Sequence, residues 1–148
     1  MSTVLVTGGS RGIGREICIS FAKAGYDIAF CYQKDEKGAK ETLDLIRKAG
    51  GEASVFCCDV SDEQQVERMF SSVFGLEILV NNAGTASFGL IQDMSLCEWN
   101  RVFSANMTGA FLCTRAAIPK LRSRGGCIIN VSSMWGEVGA SCEAAYSA

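Results

Sequence analysis

The chain has 148 residues, of which 48% are hydrophobic and 20% charged, with a formal net charge of −2. That length suits one domain, residues 1–148, with roughly 68–70% of the unfolded surface buried, and the composition excludes disorder, collagen and low-complexity repeats. The small negative charge argues against nucleic acid as a partner, and the absence of histidine excludes every mechanism that needs a catalytic imidazole.

The chain opens on Met1-Ser2-Thr3 and runs directly into Val4-Leu5-Val6, so the expectation is no signal peptide. No run of about 18 apolar residues occurs, so no membrane span is expected, and the protein is expected in the cytoplasm. Thr3–Thr7 reads as a short buried strand. Ile13, Ile17, Phe21 and Ala24 fall at helical spacing, with Gly25 as the stop. Ile28–Tyr32 is a second strand, and Ala39, Leu43, Ile46 and Ala49 form a helical stripe closed by Gly50-Gly51. Ala53–Cys57 is a third strand, after which Ser61 caps a helix carrying Val66, Phe70 and Val73. Ile78–Val80 is a fourth strand. Trp99, Phe103, Ala110, Cys113, Ala117 and Leu121 trace one long helix, bent near Pro119. Cys127–Val131 is a fifth strand.

Strands alternating with helices predict an α/β fold: a doubly wound parallel sheet with helices on both faces. Cysteines occur at 18, 31, 57, 58, 97, 113, 127 and 142, none in C-x-x-C spacing. They read as reduced thiols acting as small hydrophobes, and no metal site is expected.

After the first strand comes Thr7-Gly8-Gly9-Ser10-Arg11-Gly12-Ile13-Gly14, opening a helix. A diphosphate placed there meets free N–H groups and the positive end of the helix dipole. Side chains would obstruct that approach, and Gly14 lets helix and strand pack tightly. The position between a strand and a helix, at the start of a βαβ unit, is what gives the glycine cluster its meaning.

The spacing T-G-x-x-x-G-x-G resembles the glycine motif of the short-chain dehydrogenase/reductase family. Further residues carry the same resemblance in order: Asp59-Val60 after the third strand, Asn81-Asn82-Ala83-Gly84 after the fourth, Asn106 within the long helix, and Ser132-Ser133 at the end of the fifth, with Tyr146 beyond. Within the family the chain resembles 3-oxoacyl-[acyl-carrier-protein] reductases and similar bacterial reductases. The resemblance implies a Rossmann-type sheet of order 3-2-1-4-5. It implies a nicotinamide dinucleotide held by Gly8, Ser10, Arg11, Gly12, Ile13, Gly14, Tyr32, Asp59, Val60, Asn82, Ala83 and Gly84. Asp59 would hold the adenine amine and Val60 the ring, while the backbone of Asn82-Ala83-Gly84 passes the ribose. Asn81 is expected to be a structural bond between strands, and Asp59 is alternatively a helix cap.

An NAD-binding chain usually places Asp or Glu at the end of the second strand. Here Tyr32, Gln33 and Lys34 come first, and no acid appears until Asp35. Arg11 resembles the basic residue that NADP-dependent members use, and a guanidinium suits a 2′-phosphate; Lys34 or Lys37 adds charge. NADP(H) is expected in preference to NAD(H). The alternative is that Arg11 is a solvated loop residue and both cofactors bind.

By the same resemblance Tyr146 is the proton donor for a carbonyl reduced by hydride, Ser133 bonds the substrate oxygen, and Asn106 holds a water. Ser132 should point away, since successive strand residues face opposite sides. The family's lysine, four residues after the tyrosine, would fall at position 150. The expectation is therefore the N-terminal part of a reductase that binds NADP weakly and turns over poorly, with a non-catalytic dinucleotide-binding module as the alternative. A small carbonyl compound or an acyl-carrier-protein-linked ketone is the expected substrate, and a homo-oligomer the expected assembly of the full-length form. Phe88, Leu90, Trp135 and Val138 line part of a pocket or are loop packing residues. The fifth strand is expected at a sheet edge.

Overall fold

The computed structural model describes residues 2–123 and 125–148; Met1 and Arg124 lie outside the described residues. Strand β1 (Thr3–Thr7) is buried along its whole length, as expected of a parallel strand covered on both faces. It pairs in parallel with β2 (Asp27–Tyr32) on one side and β4 (Leu76–Asn81) on the other. Beyond these lie β3 (Ala53–Cys57), paired with β2, and β5 (Cys127–Asn130), paired with β4. The sheet order is β3-β2-β1-β4-β5: a doubly wound, Rossmann-type sheet with β1 at its centre.

Two cores follow from the two-residue period of the strands. Val4, Val6, Ile28, Phe30 and Val80 face one side with Cys18 and Ala22 of α1 (Gly12–Lys23) and Ala39 and Ile46 of α2 (Glu36–Lys48). Leu5, Ala29, Cys31 and Leu79 face the other, with Val66 and Phe70 of α3 (Glu63–Ser71) and Leu112, Cys113 and Ala117 of α5 (Gly109–Arg122). Between β4 and α5 run a short turn at Ile91–Asp93, α4 (Leu96–Phe103) and a wider π-type turn at Ser104–Thr108. After β5 come two helices of four residues, α6 (Trp135–Val138) and α7 (Ala144–Ser147).

Several local expectations change. The buried stripe of α1 is Gly14, Cys18 and Ala22, while Ile13 is 65% exposed and Ala24 is also exposed. The reason is steric: Gly14 must ride against the Gly8 carbonyl, which turns the face carrying positions 14, 18 and 22 toward the sheet. Helix α3 is capped by Asp62, whose carboxylate accepts from the Gln65 N–H at 3.0 Å; Ser61 stands one residue before that cap position, with its N–H and hydroxyl both turned to Asp59. The long helix is interrupted at Ser104–Thr108, and Pro119 sits within α5. Strand β5 ends at Asn130, so Ser132 and Ser133 follow it in coil and strand alternation does not govern them.

Cys18, Cys31, Cys58 and Cys113 are buried, whereas Cys57, Cys97 and Cys127 are exposed and Cys142 half-buried. The reading as small hydrophobes therefore holds for the first four only. Burial pushes the Cys18 and Cys113 thiols up to about 12. Strand β5 pairs only with β4 among the described strands, and Ile129 on it and Val131 just after it are exposed.

Candidate nucleotide-binding site

The carboxyl ends of β1, β2 and β4, with the chain after β3, open onto one cleft of about 770 Å³. Its position matches the rule that ligands of such sheets bind outside the carboxyl ends, where the strand order reverses. Every residue assigned to the cofactor from sequence lines this cleft: Gly8, Ser10, Arg11, Gly12, Ile13, Gly14, Tyr32, Asp59, Val60, Asn82, Ala83 and Gly84.

The glycine turn is built by its backbone. Gly8 and Gly12 have φ of +69° and +55°, the left-handed region that costs an L side chain. A Cβ on Gly14 would lie 2.2 Å from the Gly8 carbonyl oxygen and 2.5 Å from Asn82 Nδ2, so α1 can start this close to the turn only without a side chain there. A Cβ on Gly12 would meet nothing within 4 Å; that side of the turn is open space.

Asn82 fastens the turn from the β4 side. Its Nδ2 donates to the carbonyls of Thr7 at 2.9 Å and Gly8 at 3.2 Å. The buried Thr7 hydroxyl accepts from the N–H groups of Asn82 and Ala83 at 3.0 and 2.9 Å. Asn81 has the structural place foreseen for it: Nδ2 donates to Asn130 Oδ1 at 2.8 Å and Thr114 Oγ1 at 3.1 Å, tying β4 to β5 and α5.

At the other end of the cleft, the Asp59 carboxylate accepts from Ser61 N and Oγ at 2.9 and 2.7 Å, and from Gln33 Nε2 at 2.6 Å. Partial burial pushes the Asp59 carboxyl up, but the hydrogen bonds from Ser61 and Gln33 outweigh it and hold the group below its ordinary value. Asp59 is thus an ordered acceptor at the cleft rather than the cap of α3. Val60 is buried against Gly109 at the start of α5.

The lips near β2 carry Arg11, Gln33 and Lys34; Lys37 is not among the lining residues. Asp35 also lines the cleft, but its carboxylate is turned into α2, where it caps the helix by accepting from the Gly38 N–H at 2.9 Å.

The three residues assigned to the reaction lie outside the cleft lining. Asn106, within the π-type turn, is committed to the chain after β4: Oδ1 accepts from Thr85 N at 2.8 Å and Nδ2 donates to Thr85 O at 2.9 Å. Its amide is a clamp on that loop. Ser133 Oγ accepts from Trp135 N at 3.3 Å at the entry to α6. Tyr146 is half-buried on α7, a helix that packs against α4 and α6. Phe88, Leu90 and Val138 are mostly exposed and none of these, nor Trp135, lines the cleft.

Arg101 was not singled out from sequence. It lines the cleft, and its guanidinium donates to Thr85 Oγ1 at 2.7 Å and Ala86 O at 3.0 Å. The only signal available was its place one to two turns before Asn106 on the same helical run. Among the described residues no cluster of three metal-ligating side chains occurs, and no helix is long and apolar enough to cross a membrane.

Comparison with known proteins agrees with this geometry. The family model described as short chain dehydrogenase matches residues 2–148. The chain is 41% identical over 152 residues to the uncharacterized oxidoreductase YgfF of Escherichia coli K12, covering 97% of this chain and 62% of that protein. It is 39% identical over 151 residues to the 3-oxoacyl-[acyl-carrier-protein] reductase FabG of Staphylococcus aureus, covering 99% of this chain and 61% of that one. A crystal structure of a protein from Sinorhizobium meliloti 1021, titled as a short-chain alcohol dehydrogenase, superposes with a TM-score of 0.91 at 34% identity, over 99% of this chain and 60% of that one.

A doubly wound sheet of this order, with the glycine turn at the mouth of its first helix, defines a Rossmann-type dinucleotide-binding fold. The chain belongs to the short-chain dehydrogenase family, whose members are oxidoreductases that bind NAD(P)(H). It spans about 60% of the length of the curated relatives it matches.

Proposed function

We propose that the protein is an NADP(H)-dependent reductase of a ketone, such as a 3-oxoacyl thioester carried as a small molecule or on an acyl carrier protein. The observation that carries the choice of cofactor is the lip beside β2. Arg11 and Lys34 both line it, and of the two carboxylates in the cleft lining Asp35 caps α2, while Asp59, at the adenine end, accepts from Ser61 and Gln33. A carboxylate facing the ribose would repel a 2′-phosphate, whereas a guanidinium can bind it with paired hydrogen bonds. NAD(H) then binds more weakly, having no group for Arg11 to hold.

Gly8, Gly12 and Gly14 leave room for the diphosphate against the start of α1, and Asp59 offers an acceptor to the adenine amine. Bound nicotinamide supplies the hydride. Tyr146 holds the proton for the developing alkoxide at its phenol oxygen, and Ser133 donates a hydrogen bond to the same substrate oxygen. Asn106 acts by holding the Thr85 segment. The likeness to a 3-oxoacyl-[acyl-carrier-protein] reductase over almost the whole chain supports the substrate class. Residues 1–148 are read as one nucleotide-binding domain in the cytoplasm, and the exposed Phe111 and Ile118 of α5 support association into a homo-oligomer.

Fluorescence titration of the purified chain with NADPH and NADH tests the cofactor, with about tenfold or more preference expected for NADPH, lost in Arg11→Ala. Absorbance of NADPH with a 3-oxoacyl thioester tests the reaction, with Tyr146→Phe abolishing any turnover while leaving NADPH affinity unchanged. Binding of NADPH with no oxidation by the chain, alone or extended to the length of its relatives, replaces the reductase reading with that of a dinucleotide-binding module. The engagement of both Asn106 amide atoms is the observation on that side.

A further inference from the structure

The glycine turn is held from a second direction that the family motif does not include. Arg15, on the first turns of α1, does not extend into solvent; its side chain is 21% exposed. Nη2 donates to the carbonyls of Ser10 at 2.7 Å and Gly38 at 3.1 Å, and Nε donates to Thr42 Oγ1 at 2.9 Å. Thr42 is fully buried, and its hydroxyl lies within hydrogen-bond reach of the same Ser10 and Gly38 carbonyls, at 3.1 and 3.0 Å. Nη2 also meets the carboxylate of Glu41 at 3.0 Å, on the exposed rim of this cluster.

The Ser10 carbonyl matters because of what shares its peptide plane. In a trans peptide the C=O and the following N–H point in opposite directions, and no cis bond occurs among the described residues. Pulling the Ser10 oxygen toward α2 therefore aims the Arg11 N–H away from α2. Among the described residues that N–H has no acceptor, and Arg11 lines the cleft. Asn82 does the equivalent on the other wall by engaging the Thr7 and Gly8 carbonyls. A phosphate is repelled by carbonyl oxygens and attracted by N–H groups, so a turn that must receive one needs its oxygens fastened outward.

We infer that Arg15, acting with Thr42, is a positioning residue for the diphosphate of the nucleotide: it fixes the Ser10–Arg11 peptide so that its N–H faces the ligand, without touching the ligand itself. The inference rests on the nucleotide-binding reading of the cleft and adds a residue to it. The contact with Gly38 gives Arg15 a second consequence. It couples the turn to the first turns of α2, just after the lip that carries Lys34.

The test is calorimetric titration of the chain, well below its melting temperature, with ADP-ribose, which carries the diphosphate, and with adenosine, which does not. Arg15→Met is expected to weaken ADP-ribose about tenfold, the scale of one charge-assisted hydrogen bond, while adenosine changes less than about twofold. Thr42→Val, which leaves the guanidinium in place, is expected to weaken ADP-ribose by a few-fold with the same selectivity. Glu41→Gln, which removes the rim charge alone, leaves both ligands unchanged. A purely structural Arg15 would lower the melting temperature and leave the ADP-ribose to adenosine ratio as it was, which overturns the inference; so does an unchanged affinity in both Arg15→Met and Thr42→Val. Should Arg15→Met not fold, Thr42→Val decides by the same ratio. Failure of the unaltered chain to bind ADP-ribose at all refutes the nucleotide site itself, and the positioning role with it.

Discussion

The two ends of the cleft's neighbourhood are built differently. Around the glycine turn, side chains from three elements hold backbone carbonyls: Asn82 after β4, Arg15 on α1 and Thr42 on α2. Beneath them β1 is buried from end to end. The segment after β5 contrasts with this at every level. Its helices are four residues long, its strand is mostly exposed, and Met134 and Val138 face solvent. The residues assigned to the nucleotide sit on the first framework, while Ser133 and Tyr146 sit on the second. The turn proposed for the dinucleotide is thus held by packing and side-chain hydrogen bonds from three elements, whereas the helix bearing the phenol rests on its packing against α4 and α6 and on bonds such as the Ala140 N–H donating to Ser147 Oγ at 3.0 Å.

That contrast breaks if the two regions respond alike to damage. The largest effect is expected in the centre of the sheet: Leu5→Ala, at a fully buried position, should cost about 2–5 kcal/mol by urea denaturation, whereas Ile129→Ala on the edge strand should cost under about 1 kcal/mol, since its side chain is 42% exposed. Gly14→Ala comes next. Its added carbon has no room against the Gly8 carbonyl, so about 1–3 kcal/mol should be lost, with nucleotide affinity lost alongside it in a titration. Asn106→Ala removes both bonds to Thr85 and should cost about 1–3 kcal/mol; hydrogen exchange at Thr85 would show whether the loop is released.

Smaller still is the effect of Asp59. Its folded carboxyl titrates below the unfolded value because Ser61 and Gln33 bond the charged form, against the opposing pull of burial. A depressed folded value gives stability that is present above the unfolded value, about 3.9, and is lost as pH falls through the folded one. The stability gap between the unaltered chain and Asp59→Asn should therefore be constant near neutral pH and close below about pH 4. The smallest perturbation sharpens the comparison without mutation. With a disulfide reagent at mildly alkaline pH, the exposed Cys57, Cys97 and Cys127 should label in the native state, while Cys18 and Cys113, pushed up to about 12 by burial, should label only on unfolding.

The sheet was legible because its strands are short apolar runs bounded by turn residues, and the observed β1 and β3 have the bounds read from sequence. The glycine turn was legible because its backbone needs glycine: left-handed φ at Gly8 and Gly12, and close approach of α1 to the Gly8 carbonyl at Gly14. What the sequence hid is tertiary. The cap of α3 is a local exception, since the Asp59–Ser61 and Asp62–Gln65 bonds join residues two and three positions apart, but Ser61 alone does not show which residue caps. Nor does spacing show that Arg15 reaches Thr42, 27 positions away, because that contact exists only once α1 and α2 lie side by side. The face of α1 was misread only in part: Ile17 and Phe21 of the expected stripe pack against the core, while steric closeness at Gly14 leaves Ile13 in solvent.

The wide turn at Ser104–Thr108 joins α4 to α5. A turn of this width spends about five residues on roughly the rotation that four residues of an α-helix give, so deleting one residue there would restore a regular helix with α4 and α5 in nearly the same phase. Arg101 would keep its place beside Thr85, while the widened turn from which Asn106 bonds Thr85 would be lost. A single-codon deletion in this stretch is thus a local loss rather than a rotation: it would loosen the hold of Asn106 on the loop after β4 while leaving the sheet untouched.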